Sequence, residues 1–301
     1  MIKACPNPHC PSFGTKEFIK KDGFFFRRCE SRKIRRFKCN CCGKKFSHAT
    51  GTLEFRQKKR RVNRELEGLL CSGVSMRRSA RILAIHRTTV ERKMRYLARR
   101  ARRSHRIFLN SRKGKVMHLQ FDDLITTEHT KLKPLTVTLA VDAGTRHILG
   151  ARVARIGAFG HLAELSRKKY GRRLNRHSSA LDHLFNSIAP TVAPNALIQS
   201  DEHKRYPEFV TKYLPNREYR RHKGGRGCIA GQGELKKLGH DPLFMLNHTC
   251  AMLRANINRL IRKTWCTTKR PGRLQMHLEI FINFYNRCYL PSHSAPRKWG
   301  S

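Results

Sequence analysis

Two aspartates, Asp122 in Gln120-Phe121-Asp122-Asp123 and Asp201 in Ile198-Gln199-Ser200-Asp201, each close an apolar, strand-like stretch. Carboxylates are scarce in this chain: 20 Asp and Glu stand against 65 Lys and Arg, a formal charge of +45. Such an excess draws a protein to polyphosphate, with an affinity that falls steeply as salt rises. Acid placed so sparingly in so basic a chain points to metal-dependent chemistry on nucleic acid. A second reactive set lies in the first fifty residues, where Cys5 and Cys10 form C-x4-C and Cys39 and Cys42 form C-x2-C followed by Gly43. Four thiolates at this spacing suit tetrahedral Zn2+, and with all four positions filled the ion is structural. Cys29 and Cys41 compete as ligands, and His9 and His48 are outside candidates.

The elements that must position these groups follow from periodicity. Around the cysteines, Glu17 to Lys20, a turn at Asp22-Gly23 and Phe24 to Arg28 read as a hairpin, with a further strand at Ile34 to Lys38, together a zinc ribbon over residues 1–55. Residues 56–110 open on a basic run, Arg56 to Arg61, and then read as three helices. Val62, Leu66, Leu69 and Leu70 stripe the first, and Ser75 caps a second carrying Met76, Ala80, Ile82 and Leu83. The third starts near Thr88 with Val90, Met94 and Leu97 inward. This is a helix-turn-helix pattern. It makes Arg87, Thr89, Arg92 and Lys93 candidate readers of the major groove and Arg77, Arg78 and Arg81 candidate phosphate contacts. The arginine-rich run Ala98 to Arg106 reads as a phosphate-tracking helix end or linker.

Residues 111–301 change texture. Strands are expected near Val116 to Leu124, Leu135 to Val141, His147 to Ile156, Ala196 to Ser200 and Glu218 to Arg221. Helices are expected near Ser179 to Ile188 and Tyr206 to Leu214, and a long one from Pro242 to about Trp265. The order β-β-β-α-β-α-β-α is that of an α/β ribonuclease-H-like domain. In that fold the first and fourth strands lie side by side, which brings Asp122 and Asp201 to one sheet edge. A carboxylate pair there can share two Mg2+ ions about 3.5–4 Å apart.

Zinc ribbon, helix-turn-helix and an acidic α/β domain in that order resemble bacterial insertion-sequence transposases of the DDE class, closest to the insertion-sequence-one type and its relatives. The resemblance spans nearly the whole chain and rests on Phe121-Asp122-Asp123, on Asn247-His248-Thr249-Cys250 with Leu253-Arg254, and on Arg259-Leu260-Ile261-Arg262-Lys263-Thr264-Trp265-Cys266. It implies that Asp122 and Asp201 are metal ligands for two Mg2+ or Mn2+ ions and that Arg254 contacts DNA near the reacting strand. The third ligand position, a glutamate in the family, is here Asn247. A neutral amide weakens Mg2+ binding, since hard cations favour carboxylate oxygen. Asp241 and Glu234 are the alternatives. Asp241 precedes Pro242 at the expected helix start, where a capping role suffices, and Glu234 lies in a Gly-rich stretch. Asp123 faces away from Asp122 on a strand, Asp142 sits at an expected turn, and His203 is a weaker candidate to orient water or phosphate.

The resemblance implies a DNA transposase that binds element ends, cleaves and joins strands, and works on double-stranded DNA as a homodimer or higher oligomer. Two alternatives stand beside it: an inactive, transposase-derived DNA-binding regulator, and a metal-dependent nuclease that never joins strands. No stretch reaches the roughly 18 apolar residues of a membrane span and no signal-peptide pattern opens the chain. The expected setting is the bacterial cytoplasm, on the nucleoid, with no membrane partner.

Overall fold

The computed structural model describes residues 4–223, 241–261 and 268–291. Glu234, the Gly-rich stretch around it and Arg262 to Cys266 therefore lie outside the described residues, as does the side chain of Cys29. The chain divides into two compact units, Met1–Leu66 and Glu67–Ser301.

The first unit is a three-stranded antiparallel sheet in the order β1-β2-β3, built from β1 (Ile19–Arg27), β2 (Arg32–Cys39) and β3 (Lys45–Ser47). Its interior is thin: Ile19, Phe37 and Phe46 pack with Cys5, Cys10 and Cys39. The Asp22-Gly23 pair, expected as the hairpin turn, is instead an irregularity within one continuous β1, between Lys21 and Phe24. Gly23 takes a left-handed φ of +66°, which glycine adopts at no steric cost. Asp22 is held by Arg36 at 2.7 Å and Lys45 at 3.4 Å, so its carboxylate ties the strands together and does not cap a turn. The reversal comes later, at Arg28–Glu30 and Ser31, whose φ is +48°.

Three helices follow, α1 (Val62–Leu70), α2 (Met76–Ile82) and α3 (Arg87–Ser111). Ser75 caps α2 by accepting from the Arg78 N–H at 3.3 Å. Ile82 is 62% exposed because it falls off the Met76–Ala80–Leu83 stripe of the helix. The third helix does not end in a linker at Ala98 to Arg106: it runs unbroken for 25 residues, about 37 Å. Tyr96, Leu97, Ala98 and Ala101 are buried, so the arginines of this stretch share the helix with an apolar stripe that packs against a late helix, α8 (Pro271–Phe284).

The rest of the second unit is built on five strands: β4 (Val116–Glu128), β5 (Thr130–Asp142), β6 (Ile148–Arg155), β7 (Val192–Asp201) and β8 (Glu218–His222). They lie in the order β6-β5-β4-β7-β8. The β4-β5 and β5-β6 pairs are antiparallel, while β7 runs parallel to β4 and β8 parallel to β7. The connections carry α4 (Leu162–Tyr170), α5 (His177–Ile188) and α6 (Tyr206–Tyr213). Leu119, Phe121 and Ile198 of the sheet bury against Leu181, Leu184, Phe185, Tyr206 and Phe209 of α5 and α6. Gly150 on β6 is where α5 comes closest; a Cβ there would sit 2.8 Å from Leu184 Cδ1.

The expected long helix from Pro242 to Trp265 is shorter. Helix α7 is Phe244–Asn256, ending at an extended Ile257 before a single 3-10 turn, Asn258–Leu260. The last helix, α8, was not foreseen and covers the free edge of β6. Gln275 accepts from the Val153 N–H at 2.9 Å and donates to the Ala151 carbonyl at 3.1 Å. Asn286, just past α8, does the same for both backbone groups of Ile148, at 3.0 and 2.9 Å. Among the described residues no helix is long and apolar enough to cross a membrane.

Candidate functional site

Strand alternation sorts the acids of β4. His118, Gln120 and Asp122 share one face, and Leu119, Phe121 and Asp123 share the other, which carries α5 and α6. The parallel register pairs His118 with Leu197 and Gln120 with Gln199. Two residues further along the same register, Asp122 comes level with Asp201, which in turn pairs with His222 of β8. Two carboxylates and an imidazole thus stand at one level on three adjacent strands; Asp201 and His222 end theirs, whereas β4, expected to close at Asp122, runs on to Glu128 in its pairing with β5.

Below them lies a floor of amides. Gln120 Nε2 donates to Gln199 Oε1 at 2.9 Å and to the Pro242 carbonyl at 2.8 Å, while its Oε1 accepts from the Leu246 N–H at 3.2 Å. These bonds fix the start of α7 against β4. Gln199 Oε1 also meets His118 Nε2 at 2.5 Å, and Gln199 Nε2 donates to His222 Nε2 at 2.9 Å. Each glutamine stands two residues before an aspartate on the same strand face, so the period of two in the sequence already carried the signal for this floor. Neither glutamine, nor His222, was singled out beforehand.

Burial, and next the charge of Asp201, push Asp122 up to about 7. Its Oδ1 accepts from the Asp123 N–H at 2.6 Å and from the Tyr206 hydroxyl at 3.3 Å. Asp201 accepts from the His203 N–H at 3.0 Å, and the His203 ring packs on Tyr206 and His177. Asp123 has a different environment. Its Oδ1 accepts from Thr136 and Thr138 at 2.7 and 2.6 Å, and its Oδ2 meets Tyr206 at 2.9 Å and His177 Nε2 at 2.5 Å. Burial works to raise Asp123, but His177 and the threonine hydroxyls outweigh it and hold the carboxyl below its ordinary range. Asp123 is thus occupied as the anchor of the helical face. Asp142 is likewise bound within a turn, by Gly144 N–H at 3.1 Å, Thr145 at 2.6 Å and Arg112 at 2.5 Å.

Asn247 bonds to the alternative candidate, Asp241. It is exposed on α7, and its amide donates to Asp241 Oδ2 at 2.9 Å, while Asp241 Oδ1 accepts from the Leu243 N–H at 3.0 Å. The α7 side chain that feels Asp122 is Cys250, pushed up to about 12 by burial first and by the Asp122 charge second. Arg254, one turn on, is half-buried and acts in the opposite sense on the same thiol.

In the first unit, the sulfurs of Cys5, Cys10, Cys39 and Cys42 all lie within 4.8 Å of one another, the one such group of three or more potential ligands among the described residues. Cys5 and Cys42 are 3.7 Å apart and Cys10 and Cys39 3.8 Å. A tetrahedron with Zn–S bonds of about 2.3 Å has edges of about 3.8 Å, so the donor set fits zinc. The Lys44 backbone N–H foremost, with the side chains of Asn7, Cys10 and Cys5, holds Cys42 down to about 6, whereas burial pushes Cys5 up to about 12. Cys41 is exposed and turns to Ser12 at 2.8 Å, outside the cluster.

Of the candidate DNA contacts, Arg77, Arg78, Arg81, Arg87 and Arg92 are exposed and Thr89 is half-buried. Lys93, expected beside Arg92 as a reader, is 3% exposed: one residue further round the helix turns it inward next to Met94. No family model matches the chain, and no curated protein matches it.

Proposed function

We propose that the chain is a DNA transposase whose acidic α/β domain cleaves and joins strands, with the ribbon and the α2–α3 segment recognising element ends as a helix-turn-helix. The observation that carries this reading is the register of β4 on β7, which sets Asp122 and Asp201 level on one face while the surrounding chain is strongly basic. The strand order β6-β5-β4-β7-β8, with the first three strands antiparallel, agrees with the ribonuclease-H-like arrangement expected from the sequence and supports the reading further.

In this reading Asp122 and Asp201 bind divalent cations, and bound Mg2+ or Mn2+ would supply the Lewis acidity that activates water and then a DNA 3′-hydroxyl. Asp122 must first release its proton, so its environment couples metal uptake to pH. The Tyr206 hydroxyl stays protonated, raised by burial and by the neighbouring carboxylates, and holds Asp122 and Asp123 in place. The glutamine floor keeps α7, which carries Cys250 and Arg254, seated on β4. Water attacks one phosphodiester and frees a 3′-hydroxyl; that hydroxyl attacks a target phosphodiester and expels another. Bonds broken and formed balance, with no covalent protein–DNA intermediate.

A second reading, an inactive DNA-binding descendant, draws on Asn247, whose amide is engaged by Asp241 and offers the carboxylates no third charge. The discriminating assay is Mg2+- or Mn2+-dependent cleavage and joining on a duplex carrying the sequences that flank this gene. Joined products made by the wild type and lost in Asp201→Ala support the transposase. Tight binding without products, with activity only in Asn247→Glu, supports the descendant. Cleaved but never joined ends would make it a nuclease.

A further inference from the structure

The first unit keeps six phenyl rings outside, Phe13 and Phe18 near its start and four more beyond them. Phe24, Phe25, Phe26 and Phe55 are 50%, 37%, 59% and 47% exposed, although the unit's own core holds few apolar side chains. A small domain that leaves its largest apolar groups in water forgoes burial it can ill spare. Three of the rings follow one another on β1, an edge strand, so Phe24 and Phe26 project from one side of the sheet and Phe25 from the other.

Phe25 and Phe55 line two adjoining clefts, of about 560 and 490 Å³, within the size range of small-molecule sites, roughly 300–1,000 Å³. Phe26, Arg28, Arg56 and the ion-paired Arg27 and Arg60 contribute to the first; Lys44, Phe46 and Arg56 contribute to the second. No acidic side chain lines either cleft. Guanidinium groups lie over the rings: Arg35 is 3.8 Å from the Phe24 centroid, Arg56 5.4 Å from Phe55 and Arg27 5.9 Å from Phe25. Arg27 is paired with Glu30, but Arg28, Lys44 and Arg56 make no ion pair among the described residues.

The two properties together select the occupant. A cation-rimmed, acid-free cleft takes a polyanion. A duplex would use those cations but not the rings, because its bases are stacked on one another and hidden. Exposed rings flanked by cations match a strand whose base faces are free and whose phosphates follow at regular spacing. We propose that this face of the ribbon binds unpaired bases of single-stranded DNA, stacking them on Phe25 and Phe55 while Arg28, Lys44 and Arg56 neutralise the phosphates. The choice of DNA over RNA rests on the transposase reading, in which ends must be opened to be cut; the stacking itself does not.

The test is fluorescence anisotropy with the full chain in zinc-replete buffer without Mg2+, so that no strand is cut. Three labelled probes of about 20 residues are compared, an oligo-dT, an abasic strand of equal charge and a duplex. Phe25→Ala and Phe55→Ala are expected to weaken oligo-dT binding by about 5- to 150-fold each, with little change on the abasic strand and the duplex. Phe55→Tyr, which keeps a ring, is expected to bind oligo-dT like the wild type, and Phe55→Leu, apolar but without a π face, like Phe55→Ala. Wild-type affinity equal for oligo-dT and the abasic strand, or wild-type binding by Phe55→Leu, would overturn the proposal. Tighter capture of oligo-rU than oligo-dT would overturn the assignment to DNA. Failure of the wild type to bind duplex would count against the transposase reading and is scored separately from the ring-dependent difference.

Discussion

Replacing Asp122 by asparagine keeps the shape of the side chain, including the acceptor for the Asp123 N–H, and removes only the charge. In the folded protein the carboxyl titrates at about 7 against an ordinary value of 3.8. At 1.36 kcal/mol for each tenfold change, that difference amounts to about 4 kcal/mol of destabilisation once the group is ionised. The sign follows from linkage. Between about pH 4 and pH 7 the unfolded chain has lost this proton and the folded one retains it, so wild-type stability falls as pH rises through that window. Asp122→Asn is therefore expected to match the wild type below about pH 4 and to gain on it steadily up to pH 7. Above that it stays more stable by up to about 4 kcal/mol, with part of the gain being relief of Asp201. Urea unfolding at pH 5 and pH 8 reads this as a gap widening by about 3 kcal/mol. Saturating Mg2+ is expected to narrow the gap at pH 8, because it stabilises only the protein that keeps both carboxylates. A gap of equal size at both pH values would refute the argument that burial and Asp201 hold the proton on Asp122.

Removing one thiolate, as in Cys39→Ser, is expected to abolish stoichiometric zinc and unfold the first unit, whose apolar interior is too thin to stand alone; metal analysis with amide exchange over residues 4–66 checks it. Gly150→Ala places a methyl 2.8 Å from Leu184 Cδ1, and calorimetry is expected to show a loss of about 1–3 kcal/mol through displacement of α5. Asn286→Leu strips partners from the N–H and carbonyl of buried Ile148 and should cost about 1–3 kcal/mol for each group left unmatched, seen as faster exchange of the Ile148 amide.

The strands of the α/β domain were legible because β4, β5 and β7 are long and apolar, and alternation alone separated Asp122 from Asp123. The cysteine cluster was legible from spacing. What escaped the sequence was set by distant partners. Asp22-Gly23 looks like a hairpin turn until Arg36 and Lys45 claim the carboxylate. The Ala98–Arg106 stretch reads as a basic helix end or linker, and its place inside α3 shows only once α8 packs on its buried alanines. Lys93 was misplaced because one step round α3 separates the outer face from the inner. Asn247 was placed by resemblance, whereas the local bond to Asp241 decides where its amide points. His222 gave no local sign at all, since only the pairing of β8 with β7 brings it level with Asp201.

The amides of Gln275 and Asn286 act on β6 as a neighbouring strand would, answering backbone groups and ignoring side chains. A sheet exposed at both ends can be extended by another copy from either side; this one is sealed at β6 by a helix that imitates a strand only where it must. Within this sheet, and among the described residues, strand addition is thereby left to β8, the edge that carries His222 beside Asp201. Self-association of that kind and access to the carboxylates would then compete for one border of the sheet.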